Sequence, residues 1–170
     1  GSQSVERRLE IMKDSRIGTF GGAALVLSLL LRVTALSALT DASGGLGAAL
    51  ILIAAASWSR SLGIKVLADD FPARTHCAAA AVGRPTQGTM LCAMGLALVV
   101  TILAFIFAGL PLISAAAALV LATGLAALVA YLARRLIGGQ TGDIAGAAQQ
   151  FAEIGFYLGA VMALAMTSLP

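Results

Sequence analysis

The sequence predicts an all-α, polytopic helical membrane protein with about five transmembrane helices. Hydrophobic residues fill 59% of its 170 positions, charged residues fill 11%, and the mean hydropathy is +0.96. A soluble domain has about 45–50% apolar and about 25% charged residues. The apolar residues also form runs of about 18 or more without the polar stripes that helices of a soluble bundle carry. Composition therefore excludes an ordinary soluble domain.

The N-terminal segment, residues 1–20, is predicted to form a short amphipathic helix followed by the first of two polar motifs. Its apolar residues recur at helical spacing at Val5, Leu9 and Met12. Such a helix is expected to lie on the cytoplasmic surface of a membrane. The alternative is a solvated helix with local ion pairs, such as Arg7 with Glu10.

Residues 21–170 are predicted to form a transmembrane helical bundle. Five apolar stretches stand out, at 21–39, 46–67, 89–107, 112–132 and 154–169. A span needs about 20 residues at a rise of 1.5 Å each, and a helical pattern from Gly142 lengthens the short last stretch. Ala and Gly are abundant throughout, as at Ala115 to Ala118, Gly124, Gly155 and Gly159, so we expect close packing of helix backbones.

The distribution of charge over the loops predicts the orientation. Nine of the eleven Lys and Arg residues fall in segments on one side, at Arg7, Arg8, Lys13, Arg16, Lys65, Arg74, Arg84, Arg134 and Arg135. The opposite connections, 40–45 and 108–111, contain none. The positive-inside rule places the N-terminal segment and the loops 68–88 and 133–143 in the cytoplasm. We therefore expect a multi-pass protein of the cell inner membrane with its motifs on the cytoplasmic side.

Two polar motifs occur where a cytoplasmic segment becomes a helix. The first is KDSRIGTFGG at 13–22, and the second is GGQTGD at 138–143. Both combine glycines, a hydroxyl residue suited to N-capping and an acid. Glycines allow a ligand close to the backbone, and a helix N-terminus offers unpaired N–H groups. The motifs therefore predict phosphate binding.

The acid in each motif predicts a divalent cation. Asp14 and Asp143 would repel a bound phosphate unless a cation lay between them, and Mg²⁺ prefers carboxylates together with substrate phosphates. The alternative is structural, with Thr141 capping the last helix and Asp143 complementing its dipole.

A polar stripe runs along the start of the last predicted helix, at Asp143, Gly146, Gln150 and Glu153. These positions fall within about 80° of arc on a helix of 3.6 residues per turn. A polar stripe in a membrane must face protein or water, so we expect it to line a cavity open to the cytoplasm.

Two arginines, Arg32 and Arg60, lie inside predicted spans. A charge at that depth costs on the order of several kcal/mol, so each needs a partner. We expect them to hold anionic substrate groups, or else to pair structurally or reach the interface.

The central loop holds residues that we interpret as solvated. They include Asp69, Asp70 and the single histidine, His76, around which no metal-ligand spacing is found. Cys77 and Cys92 are interpreted as ordinary small residues without a disulfide or metal role.

Two segments carry a resemblance to a known family. The segment ERRLEIMKDSRIGTFG at 6–21 resembles one signature of the cobalamin-5′-phosphate synthases (adenosylcobinamide-GDP ribazoletransferases), and GGQTGDIAGA at 138–147 resembles their second. The resemblance implies an enzyme of late cobamide (vitamin B12) synthesis. Such an enzyme joins adenosylcobinamide-GDP to α-ribazole or its 5′-phosphate, releases GMP and needs Mg²⁺.

The resemblance also implies roles for individual residues. Asp14 and Asp143 would be catalytic and hold the metal, directly or through water. The substrate-binding residues, which would contact the phosphates or form hydrogen bonds with the substrate, would be Arg16, Gly18, Thr19, Arg60, Gly138, Gly139, Gln140, Thr141 and Gly142. Family members carry a motif with repeated aspartates upstream of the first signature, whereas this sequence begins near that signature. We therefore expect an N-terminally truncated chain that is inactive alone.

Alternatives from other classes remain at this stage. The chain could be another Mg-dependent membrane phosphotransferase acting on a nucleotide diphosphate-linked alcohol, or a transporter subunit, which Arg32 alone favours. The expected partners are the two substrates and membrane lipid, with no nucleic acid and a possible oligomer.

Overall fold

A computed structural model of the chain describes residues 4–14, 16–69, 73 and 84–167. All regular elements in these residues are α-helices, which confirms the predicted all-α class. The helices are α1 (Val5–Ile11), α2 (Thr19–Asp69), α3 (Gln87–Phe107), α4 (Leu112–Ile137) and α5 (Gly142–Thr167).

Three helices in the described part, α2, α3 and α4, are long and apolar enough to cross a membrane. The prediction of about five transmembrane helices is therefore corrected to about three helical elements. The first two predicted spans belong to one helical element, α2, and α5 carries acidic and amide side chains along its first half. Large apolar side chains are widely exposed, such as Phe20 at 92% and Phe107 at 76%, as expected of a chain surrounded by lipid. The chain is thus a membrane-embedded, multi-pass protein.

The helix α2 reverses direction at Gly44. This residue has φ 71° and ψ 173°, a left-handed conformation that favours glycine. Arg32 before it bonds Gln150 of α5, and Gly63 after it lies so close to Gln149 that a Cβ would be 2.3 Å from the amide nitrogen. Residues 32 and 63 would be about 46 Å apart in a straight helix at 1.5 Å per residue. Since both contact the same turn of α5, α2 consists of two antiparallel limbs, 19–43 and 45–69.

The connections between helices gather at two opposite ends of the bundle. At one end, the backbone N–H of Ala73, after α2, donates to the carbonyl oxygen of Gln140, between α4 and α5, over 2.8 Å. At the other end, Gly47 lies beside Ala108, so that a Cβ on Gly47 would be 3.4 Å from the Ala108 Cβ. We call these the motif end and the bend end. The connections 40–45 and 108–111 therefore share an end, as predicted, and the cytoplasmic placement of the motif end stays a prediction.

The helices α4 and α5 share the most extensive contact. The buried face of α4 consists largely of alanines, at Ala115, Ala118, Ala122, Ala126, Ala130 and Ala133. On α5, a Cβ at Gly159 would lie 2.5 Å from the Ala117 carbonyl oxygen, and one at Gly155 would lie 3.0 Å from that of Leu121. The predicted close packing at small residues is confirmed for this pair of helices.

A short helix, α1, forms where the amphipathic segment was predicted. The Ser4 hydroxyl accepts a hydrogen bond from the Arg7 N–H at 3.3 Å and caps the helix. The predicted ion pair of Arg7 with Glu10 is present at 2.5 Å. None of the α1 residues is buried. Its location on a membrane surface stays a prediction.

Candidate functional site

The second motif is a tight connection between α4 and α5 at the motif end. The helix α4 ends at Gly138, whose φ of 74° is left-handed and whose N–H donates to the Arg134 carbonyl at 3.1 Å. Three residues later, the Thr141 hydroxyl accepts from the Ile144 N–H at 3.3 Å and caps α5. The predicted capping role of Thr141 is therefore confirmed, and Gly142 begins the helix.

The middle of this connection is buried, because the chain folds inward between the two helices. Gly139 is buried, and Gln140 and Thr141 are each only 1% exposed. The Gln140 backbone carbonyl is occupied by Ala73, but its side-chain Oε1 has no hydrogen-bond partner in the described structure. An unpaired buried acceptor costs about 1–3 kcal/mol, so it marks a place where a ligand or a water would donate. Rotation of the Gln140 side-chain amide by about 180° would instead present its NH₂ group to a ligand oxygen.

Asp143 lies in the first turn of α5 and is exposed. Its carboxylate makes no hydrogen bond or ion pair with the described residues. The carboxylate complements the positive end of the helix dipole and remains accessible to a ligand. The structure is therefore consistent with both predicted roles of Asp143, as a dipole partner and as a metal ligand.

The first motif connects α1 to α2, and its two charged residues bind each other. The Arg16 guanidinium donates to both carboxylate oxygens of Asp14, with an Nη2–Oδ2 distance of 2.7 Å. This contact, together with the Arg16 backbone N–H, lowers the pKa of Asp14, and Asp14 raises the pKa of Arg16. Gly18 and Thr19 follow as an exposed helix start. A metal on Asp14 or a phosphate on Arg16 would therefore have to replace this ion pair.

The segments next to the two motifs meet through α1. Arg8 donates through Nη1 to the Leu136 carbonyl at 2.7 Å, across a sequence separation of 128 positions. A groove of about 470 Å³ is lined by Ile11 and Met12 on one side and by Ile137 and Ile144 on the other. The residues just before the first motif's ion pair thus lie beside the residues that flank the second motif. The sequence did not single out Arg8, because an exposed arginine on an amphipathic helix carries no distinguishing signal.

Arg60 is not brought into contact with either motif in the described part of the chain. It is exposed on the second limb of α2 and donates to the Ala56 carbonyl of its own helix at 3.1 Å. At 1.5 Å per residue it lies about 14 Å along the helix from Asp69, where α2 ends. Its role in substrate binding stays a prediction. Asp69 itself pairs with Lys65 at 2.6 Å.

A cluster of polar side chains joins the first limb of α2 to α5. Arg32 pairs with Glu153 at 3.0 Å and donates to the Gln150 side chain at 2.7 Å. The Tyr157 hydroxyl donates to the same carboxylate of Glu153 at 3.0 Å. The predicted need of Arg32 for a partner is confirmed. Two residues of the predicted polar stripe, Gln150 and Glu153, face protein. Tyr157 was missed, although its position four residues after Glu153 on a helix was a usable signal.

The predicted Mg²⁺ site requires carboxylate ligands. Among the described residues, no group of three or more His, Cys, Asp or Glu side chains is close enough to hold a metal ion. Asp14 and Asp143 are both exposed carboxylates, which is the type of ligand that Mg²⁺ takes together with substrate phosphates and water.

Several predicted residues lie outside the described residues. These are Ser15 of the first motif and, in the central loop, Asp70, Arg74, His76 and Cys77. Cys92 is a free, exposed cysteine on α3.

Comparisons with known proteins point to one family. The cobalamin-5-phosphate synthase family matches residues 1–161. The adenosylcobinamide-GDP ribazoletransferase of Azorhizobium caulinodans is 46% identical over 167 residues, which cover 95% of this chain and 61% of that protein. Proteins of the same name from Xanthobacter autotrophicus and Brucella anthropi are 45% and 42% identical, over 61% and 63% of their lengths. The chain thus spans about three-fifths of the length of these curated relatives. No solved structure matches.

Proposed function

The chain belongs to the cobalamin-5-phosphate synthase family, and from this premise we propose that it carries phosphate-binding parts of a membrane transferase. The reaction joins adenosylcobinamide-GDP to α-ribazole, or to its 5′-phosphate, and releases GMP. The observation that carries the proposal is the contact between the segments that flank the two motifs, at one end of an apolar bundle, through Arg8 and Leu136. The three curated relatives bear the name of this activity.

The chemistry requires positioning and charge neutralisation. An oxygen of the ribazole acceptor attacks the phosphorus next to cobinamide, and the bond from that phosphorus to the GMP oxygen breaks. In this proposal the free N–H groups at the starts of α2 and α5 face the pyrophosphate, and the Gln140 amide hydrogen-bonds to a substrate group. Arg16 exchanges its bond to Asp14 for a phosphate oxygen.

Mg²⁺ is part of the proposal. Asp14 and Asp143 would hold the ion together with the pyrophosphate, and the ion would supply neutralisation of the phosphate charge. Release of Asp14 from Arg16 would free one ligand for the metal and one cation for the phosphate at the same time.

The alternative of a transporter subunit loses its one supporting feature. Arg32 favoured it as a charge inside the bundle, and that charge is neutralised by Glu153 at 3.0 Å. Another phosphotransferase of nucleotide diphosphate-linked alcohols shares the proposed chemistry and differs only in its substrates. The proposed location is the cell inner membrane with the motif end in the cytoplasm, supported by the gathering of basic segments there.

A chimera tests the function. The 170 residues replace the matching region of the Azorhizobium caulinodans relative, and the purified protein is assayed in liposomes with adenosylcobinamide-GDP, α-ribazole and Mg²⁺. We expect GMP release, and a loss of about 100-fold or more with Asp143→Asn, the size typical of losing a charge-stabilising group. The control is Asp41→Asn at the exposed bend end, which should leave GMP release unchanged.

Two outcomes would contradict the proposal. A chimera that elutes as a folded protein and releases no GMP, while the unaltered relative does, would reject the transferase function. An active chimera that is indifferent to Asp143→Asn would return Asp143 to the role of a dipole partner.

A further inference from the structure

We propose that Arg32, Gln150, Glu153 and Tyr157 form a polar clamp that fixes the register between α2 and α5 and so positions the two motif-bearing helix starts. The proposal rests on the proposed function, for which those helix starts provide phosphate contacts. It assigns to these four residues a positioning role, since none of them lies at the motif end.

The clamp attaches the two helices at more than one point. A single guanidinium, that of Arg32, donates to Gln150 at 2.7 Å and pairs with Glu153 at 3.0 Å, one helical turn further along α5. The same oxygen of the Glu153 carboxylate, Oε1, also accepts a hydrogen bond from the hydroxyl of Tyr157, which is 1% exposed. Only 18% of the Arg32 side chain and 20% of the Glu153 side chain are exposed. A slip of α2 along α5 by one turn, about 5.4 Å, would break both bonds of Arg32 to α5.

The clamp is too far from the ends to be explained by binding of the motifs' ligands. Its contribution to the stability of the helix pair is also small for the desolvation it requires. Buried ion pairs lose much of their attraction to desolvation, and apolar residues of similar volume often stabilise equally well. Selectivity for one register is the role that we assign to the ion pair here. The neighbouring buried residues of the first limb of α2, such as Ala35 and Leu39, are apolar and lack directional bonds.

The register that the clamp sets brings the two helix starts to the same level. Both helices run from the motif end toward the bend end. From Thr19 to Arg32 the first limb of α2 extends about 20 Å, at 1.5 Å per residue. From Gly142 to Glu153, α5 extends about 17 Å by the same measure. Because Arg32 and Glu153 are bonded, the starts of α2 and α5 differ in height by only about 3 Å. A slip by one turn in the direction that widens this offset would raise it to about 8 Å, more than the length of a phosphate contact.

A distance measurement tests the clamp without any substrate. Spin labels are placed at the exposed Phe20 and Phe151 of the full chain, with Cys77 and Cys92 replaced by Ala. The apolar pair Arg32→Met with Glu153→Met keeps side-chain volume and removes the bonds. We expect its label distance to shift or broaden by up to one helical turn, about 5.4 Å. Glu153→Gln, which still accepts from Arg32 and Tyr157, should keep the original distance, and the exchange Arg32→Glu with Glu153→Arg should recover it.

The matched control removes a different interhelical bond. Trp58→Phe deletes the hydrogen bond from the Trp58 indole to Thr123 of α4, at 3.2 Å, and should leave the distance unchanged. If the methionine pair does not fold, Gln150→Met is used, which removes one of the two attachments of Arg32 at an exposed side chain. An unchanged, equally narrow distance in the folded methionine variant, or in Gln150→Met where that replaces it, would overturn the clamp.

Kinetics of the chimera test the positioning role. Misplacement by an ångström or more costs about 100-fold in rate, so the methionine pair should lower kcat by about 100-fold and change KM by less than about threefold. Glu153→Gln should restore kcat. If the label distance shifts in the methionine pair while its kcat stays unchanged, the clamp has a structural role only and the positioning role is rejected. If the chimera without clamp substitutions has no activity, while the methionine pair still shifts the label distance, the proposed function is rejected and the register clamp is retained.

Discussion

At the residue scale, the ion pair of Asp14 with Arg16 is the clearest difference from what the sequence suggested. The sequence predicts a metal ligand and a phosphate ligand as separate roles, whereas the structure joins the two side chains by hydrogen bonds of 2.7 to 3.1 Å. Both side chains are exposed, so the pair is accessible to a ligand that exchanges with it. Spacing along the chain could not show this, because residues two apart meet only when the backbone turns.

The ion pair predicts a titration change at Asp14. The pKa of Asp14 is lowered by the Arg16 side chain first and the Arg16 backbone N–H second. A carboxyl with a lowered pKa keeps its ion pair at neutral pH and loses it only as the pH falls through the lowered value. We expect Arg16→Ala to raise the pKa of Asp14 toward its ordinary value, measured by ¹³C NMR of the side-chain carboxyl in micelles. Arg7→Ala, which removes the partner of Glu10 instead, should leave the Asp14 titration unchanged. An unaltered Asp14 pKa in Arg16→Ala would contradict the pairing.

At the element scale, α2 and α5 show how small residues shape the helices. The sequence predicts a connection at 40–45 between two spans, and the structure keeps helical geometry on both sides of Gly44 with a single left-handed residue as the turn. The predicted crowding of helix backbones occurs at Gly155 and Gly159 but not at Gly124, around which a Cβ would meet nothing within 4 Å. Composition alone could not separate these glycines, since all three lie in equally apolar surroundings.

The two kinds of glycine predict opposite effects of the same substitution. In Gly159→Ala the new Cβ would meet the backbone of Ala117 and Ala118 at 2.5 to 2.8 Å, so we expect a loss of about 1–3 kcal/mol in the free energy of unfolding. Gly124→Ala should be neutral or stabilise by up to about 1 kcal/mol, through helix propensity. Unfolding in mixed micelles, followed by the fluorescence of the single tryptophan, Trp58, measures both. Equal stabilities of the two variants would argue against the close α4–α5 contact.

At the scale of the whole molecule, the fold has two chemically distinct ends. The motif end combines the second motif, α1 and most of the basic residues. The bend end has the two short connections 40–45 and 108–111, which contain no Lys or Arg. The charge asymmetry predicts which end faces the cytoplasm, because basic loops resist translocation.

Cysteine labelling tests this orientation. In a background with Cys77 and Cys92 replaced, Ala42→Cys marks the bend end and Gln87→Cys the motif end, and both positions are exposed in the bundle. In intact spheroplasts a membrane-impermeant maleimide should label residue 42 and should reach residue 87 only after permeabilisation. The reverse pattern would invert the topology and place the proposed site outside the cytoplasm.

The sequence by itself determined the class of the fold, the five helical stretches behind α2 to α5 and the two family signatures, and it offered the capping of α5 by Thr141 as one of two roles. These follow from composition, local hydrogen bonding and short motifs, all of which act over a few neighbouring residues. Local pattern also showed that Arg32 needs a partner, because an unpaired charge in an apolar bundle is costly whatever surrounds it.

Only the tertiary structure decided which partners meet. It selected Glu153, Gln150 and Tyr157 around Arg32, left Arg60 apart from both motifs, buried Gln140 with an unpaired oxygen and brought Arg8 to Leu136. Each of these depends on the reversal at Gly44 or on the crossing of helices far apart in sequence. A contact across 118 or 128 positions is set by the packing of whole helices, and no local pattern in the chain encodes it.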